Sequence, residues 1–126
     1  TLLLNSGSAQ ISQSNGLSAV SSTTITFGSD GAYNTNGDAY VCYVFADTTG
    51  FLKAGKYVGN GSTDGPFINT GFKPGFVLVK ANSVNNWFLQ DNERLGYNPA
   101  NHLSKPNTDG ADDTGTHIDI LSKKQF

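Results

Sequence analysis

Apolar residues in this chain come in short runs separated by Gly, Ser, Thr, Asn and Asp, and few recur at the spacing of a helix face. Residues 2–4 form a first apolar run. Residues 17–20 and 23–27 read as strands, the second rich in β-branched side chains. Residues 40–46 are the most apolar strand of the chain, with aromatic rings on both faces. Residues 76–79 have no polar face, the signature of a central strand covered on both sides. They follow Pro74-Gly75, which suits the two middle positions of a type II turn with Gly75 at positive φ. Residues 87–90 are placed to pair with 76–79 across the short loop 81–86.

The polar stretches set the joints. Residues 29–31 make a turn, and Asn36-Gly37 is the dipeptide of a tight type I′ hairpin. Residues 51–58 and 67–68 are extended, and 59–65 form a wide glycine turn in which Asn60 tolerates positive φ. Residues 91–96 suffice for one helical turn. Residues 97–116, broken by Pro99, Pro106, Gly110 and Gly115, read as a long surface loop anchored by Leu103. With about eight to ten strands and no amphipathic helix, the pattern predicts an all-β fold, an antiparallel β-sandwich or jelly-roll-like architecture.

Two phrases extend this picture. Tyr57-Val58-Gly59-Asn60-Gly61 is followed by Gly71-Phe72-Lys73-Pro74-Gly75-Phe76-Val77-Leu78-Val79-Lys80, then by the Trp87 run that ends in Asp91. Upstream, residues 34–46 read N-x-x-G-x-x-Y-V-x-Y-x-F-A. Together they resemble a β module of phage virion-surface and tail-fibre-like proteins, in which the module recurs in tandem. In that family residues 34–46 would be the closing phrase, yet here they precede the opening one. Residues 25–33 and 118–126 also share a pattern of Ile, polar, apolar, Ser and a final aromatic. The expectation is that residues 1–46 are the C-terminal part of one module, 47–54 a junction and 55–126 the N-terminal part of the next, with a period of roughly 90 to 100 residues. One compact β-sandwich overall is the alternative. The absence of methionine in the 126 residues adds to the expectation of a window on a longer protein.

Charge and cysteine content narrow the chemistry. Eight Lys and Arg against ten Asp and Glu give a net charge of -2, with no basic field for nucleic acid. No apolar run reaches the ~20 residues that cross a bilayer, so membrane insertion is not expected. The lone Cys42 alternates with Tyr40 and Val44 and reads as a small core residue. Residues 59–65 lack the spacing of a phosphate-binding glycine loop. Asp91 and Glu93, two apart, and the two histidines, His102 and His117, have no nucleophile phrase beside them, and no enzyme is expected.

Two candidate sites remain. Trp87, Tyr97, Asn85 and Asn98, with Asn82, Asn86 and Asn101 nearby, are the ring and amide types that stack on a sugar and bond its hydroxyls. Trp87 reads first as a core residue, since it opens an apolar strand, and second as a platform for a sugar. Asp109, Asp112 and Asp113, or Asn34, Asn36 and Asp38, offer closely spaced oxygens to calcium; no other cofactor is expected. The leading expectation is a non-enzymatic structural module on a virion surface, extracellular, partnered by copies of itself or other virion proteins. The alternative is a lectin-like module that attaches to a host-surface glycan.

Overall fold

The computed structural model describes residues 2–94, 100–118 and 120. Its elements are β1 (Leu17–Val20), β2 (Ile25–Phe27), α1 (Gly31–Asn34), β3 (Phe76–Lys80), β4 (Trp87–Asp91), β5 (Ala100–Leu103) and β6 (Asp113–Ile118). The strands form three antiparallel pairs, β1 with β2, β3 with β4 and β5 with β6. The fold is thus all-β, built of small antiparallel sheets with one turn of helix.

The expected hairpin of residues 76–79 and 87–90 is present. β3 and β4 pair without a bulge from Phe76 with Asp91 to Lys80 with Trp87. Its second edge carries the next hairpin. Leu89 and Ser104 exchange both backbone hydrogen bonds, at 2.9 and 3.0 Å, which joins β4 to the residue after β5. Loop 81–86 is held from the N-terminal segment: Gln10 N–H donates to the Asn82 carbonyl at 2.7 Å and Asn85 N–H to the Gly7 carbonyl at 2.8 Å. The Trp87 indole N–H donates to the Leu3 carbonyl at 2.8 Å.

The β1–β2 hairpin is braced by polar contacts. Ser21 Oγ accepts from Thr23 and Thr24 N–H across its turn. The expected turn at 29–31 is instead the start of α1, because Asp30 caps the helix by accepting from Ala32 N–H at 2.8 Å. The Tyr33 ring stacks on Phe27 at 6.3 Å, and its hydroxyl donates to Gln13 Oε1 at 2.8 Å. Gly28 passes close to the Asn15 backbone, donating its N–H to the Gly16 carbonyl at 2.6 Å.

Several expectations are corrected. Residues 40–46 form no strand, and Val41, Tyr43 and Phe45 are 82%, 82% and 74% exposed. Cys42 is exposed rather than buried. A strand exists only where its backbone groups meet a partner, and residues 41–45 meet none among the described residues. Among the described residues β3 is not a central strand but lies at a sheet edge, with Phe76 57% and Leu78 39% exposed. Positive φ falls on Gly71, at 82°, and not on Gly75, whose carbonyl accepts from Asn92 N–H at 3.1 Å and so lengthens the β3–β4 ladder. In the glycine turn it falls on Gly61 and Gly65 rather than Asn60. No hairpin forms at Asn36-Gly37; Asp38 N–H closes a local turn onto the Thr35 carbonyl at 3.2 Å. Residues 97–116 are not one loop, since β5 and most of β6 fall inside them. Leu103, their expected anchor, is buried at 5% exposure.

Among the described residues only Leu103 and Ile120 are buried apolar side chains. Backbone pairing therefore carries more of this architecture than a shared core does.

The close approach at Gly28 gives a direct test. A Cβ at this position would collide with the Asn15 carbonyl, so Gly28→Ala must force the two strands apart. The expected cost is on the order of 2 kcal/mol, read as a lowered urea midpoint with amide protection lost first at positions 28 and 30, whose N–H groups donate to the Gly16 and Asn15 carbonyls.

Candidate functional site

The β3–β4 and β5–β6 hairpins meet around a groove of about 490 Å³. Its floor comes from alternate positions of paired strands. Val79 and Phe88 are cross-strand partners, as are Val77 and Gln90, so Val79, Phe88 and Gln90 share one face of the hairpin. Leu103 of β5 and Ile118 of β6 close the far side. The rim is polar, with Asn85 and Asn86 at one end, Lys105 and Asp113 at another, and the half-exposed Tyr57 ring above. Gln90 is 1% exposed, so its amide sits at the bottom of the groove.

The amides at the rim are held in place. Asn107 Nδ2 donates to Asn86 Oδ1 at 2.9 Å, and Asn107 Oδ1 accepts from Trp87 N–H at 2.8 Å. Asn85 Oδ1 accepts from Asn86 N–H at 2.9 Å. Lys105 Nζ lies 3.6 Å from Asp113 Oδ2 across the opening. An aromatic ring, an apolar floor and fixed amides are the equipment for a neutral polyhydroxylated ligand or for the side chains of another chain.

A separate polar network ties the strand ends together. Arg94 Nε lies 3.0 Å from Asp91 Oδ2, and Arg94 Nη1 lies 2.6 Å from Asp112 Oδ2. Ser104 Oγ donates to Asp112 Oδ1 at 2.6 Å and accepts from Arg94 Nη1. The Ser104 hydroxyl, and beside it the Arg94 guanidinium, hold the Asp112 carboxyl below its ordinary value of 3.8. Asp47 is likewise lowered, by the Ala54 N–H and then by Lys53.

The structure brings only some of the sequence candidates together. Asn85 lines the groove. Trp87 is half-buried with its indole N–H spent on the Leu3 carbonyl, and it lies outside the groove lining. Tyr97 and Asn98 lie outside the described residues. Of the calcium candidates, Asp112 is engaged by Arg94 and Ser104, and Asp113 faces Lys105. Among the described residues no three His, Cys, Asp or Glu side chains gather as a metal site, so Asp109, Asp112 and Asp113 do not converge on one point. Asn34 turns its amide N–H to the Gly28 carbonyl at 2.9 Å. Tyr57, which appears in the sequence only as the head of the Tyr57–Gly61 phrase, and Gln90 are not among the binding candidates that residue type points to. The one available signal for Gln90 was a polar residue at the end of an otherwise apolar run.

The sequence matches the family described as a domain of unknown function, DUF7483, over residues 1–124, and the chain belongs to that family. No curated protein and no solved structure matches it significantly.

The Asp112 network gives a pH prediction. A carboxyl whose folded value is depressed stabilises fully above its unfolded value, and that contribution is lost as pH falls through the folded value. Stability should therefore drop below about pH 3.8. Asp112→Asn should be less stable than wild type at neutral pH and show a shallower acid decline, measured by thermal melts between pH 2 and 7.

Proposed function

We propose that this DUF7483 chain is a non-enzymatic structural β module that completes its packing by associating with copies of itself, as a unit of a virion-surface or fibre assembly. One observation carries the assembly half of this reading. The chain exposes 9595 Å², whereas a compact monomer of its 13.3 kDa would expose about 6,450 Å². The difference, about 3,100 Å² per chain, exceeds the roughly 1,000 to 2,500 Å² that each partner buries in an obligate interface. Much of the exposed surface is aromatic or aliphatic, including Tyr43, Phe45, Phe51, Val58 and Phe67. Exposed aromatic and aliphatic side chains in this number favour an interface over a free monomer surface. The virion-surface half rests on the resemblance of residues 34–46 and 57–91 to phage β modules, and it sets the expected location outside the cell.

The test is the mass of the folded chain by light scattering and sedimentation velocity over a hundredfold range of concentration. A defined oligomer that persists on dilution is expected. A folded monomer at every concentration overturns the reading.

The groove supports a second reading, a glycan-binding attachment module, through the Tyr57 ring, the Phe88 floor and the fixed amides of Asn85 and Asn86. On this reading a glycan array returns one sugar class, and Tyr57→Ala weakens binding by about tenfold, the loss of one stacking contact of ~1.4 kcal/mol, while the oligomer mass is unchanged. No binding to any glycan removes this reading and leaves the first untouched.

A further inference from the structure

We propose that residues 41–45 of one copy add as a strand to the open edge of β3 in a second copy. The inference rests on the assembly reading above and names the surfaces that form the contact.

The donor is a segment built as a strand and left without a partner. Val41-Cys42-Tyr43-Val44-Phe45 is a run of β-branched and aromatic residues, and every one of them is exposed. None of its backbone groups is hydrogen-bonded to another described residue. Its two ends are pinned. The Tyr40 hydroxyl donates to the Gly31 carbonyl at 3.1 Å and accepts from Thr35 N–H at 3.0 Å, and the Ala46 carbonyl accepts from Thr48 Oγ1 at 3.3 Å. The segment between them is presented to solvent and not packed away.

The acceptor is an unguarded edge. Asn92 N–H bonds the Gly75 carbonyl, and Leu89 directs both of its backbone groups to Ser104 on the other side of β4. By the alternation of an antiparallel ladder, Phe76, Leu78 and Lys80 then point their N–H and C=O groups away from β4. Those groups meet no other strand among the described residues. Edge strands are commonly protected by an outward lysine. Here Lys80 turns its Nζ back to the carbonyls of Ala81 and Ser83, at 2.7 and 3.0 Å, which removes its charge from the edge. Phe76 and Leu78 remain exposed beside it.

A second copy is the matching occupant. β3 has five residues, and so has the unpaired donor run. Every chain carries one donor and one acceptor, so each copy can satisfy the other in equal number. With the Lys80 Nζ turned back to the Ala81 and Ser83 carbonyls, both surfaces present mainly apolar side chains, as the interior of an obligate interface does.

Cys42, the second of the five donor residues, serves as the probe. In a Leu78→Cys chain, antiparallel strand addition that sets Cys42 opposite Leu78 brings the two thiols of different copies within disulfide reach. Mild oxidation with diamide should give an interchain Cys42–Leu78→Cys link, seen as a dimer on a non-reducing gel and located by peptide mass. Tyr43→Asp, at a side chain 82% exposed, should leave the circular dichroism spectrum unchanged and convert the oligomer to monomer. An intrachain link in the Leu78→Cys protein, or a Cys42–Cys42 link in wild type, overturns the proposal. An oligomer that survives Tyr43→Asp overturns this contact while leaving the assembly reading standing. A wild-type monomer removes both.

Discussion

The paired backbone hydrogen bonds between Leu89 and Ser104 join two hairpins that would otherwise be separate ribbons. A two-stranded ribbon is marginal in water, and three or more strands with an apolar face are needed for independent stability. The Leu89–Ser104 contact supplies that connection. It makes β3, β4, β5 and β6 neighbours, brings Leu103 against the β4 face and forms the groove whose floor is Phe88 and Gln90. The Arg94–Asp91–Asp112 network reinforces the same junction, and Ser104 belongs to both.

This economy of contacts leaves apolar side chains at the surface. A monomer that exposes Tyr43, Phe45, Phe51 and Val58 retains the unfavourable hydration of those groups. Association with another copy removes it, and does so most effectively where unpaired backbone groups are satisfied at the same time. Strand addition at β3 meets both demands, because an edge strand offers hydrogen bonds and apolar contacts along one line. In an extended assembly the same geometry would link one copy to the next through a repeated contact.

The groove and the edge lie on the same hairpin but face different directions. Val77, Val79, Phe88 and Gln90 belong to the face that meets β5 and β6, whereas the open edge is set by the backbone groups of Phe76, Leu78 and Lys80. A partner strand and a small ligand would therefore not compete for the same atoms. Trp87, the natural ring for sugar stacking, serves instead to bind the N-terminal segment through the Leu3 carbonyl.

Local sequence by itself determined the elements whose partners lie close along the chain. The β1–β2 and β3–β4 hairpins were legible from β-branched and apolar runs separated by short polar turns, and Leu103 as an anchor was legible from its isolation in a polar stretch. Of the sugar-binding candidates, Asn85 and Asn86 were foreseen and lie in the groove. Tertiary structure decided the rest. β5 and β6 carry little apolar pattern and become strands by pairing with each other, while Ser104 ties them to Leu89 of β4. Asp112, an attractive oxygen ligand in sequence, is claimed by Arg94 from another loop. Residues 40–46 have the strongest strand composition and yet form no strand in this chain. Composition sets how well a residue fits a pleated surface, but the hydrogen bonds that make a strand belong to two segments, and only the tertiary arrangement determines whether the second is there.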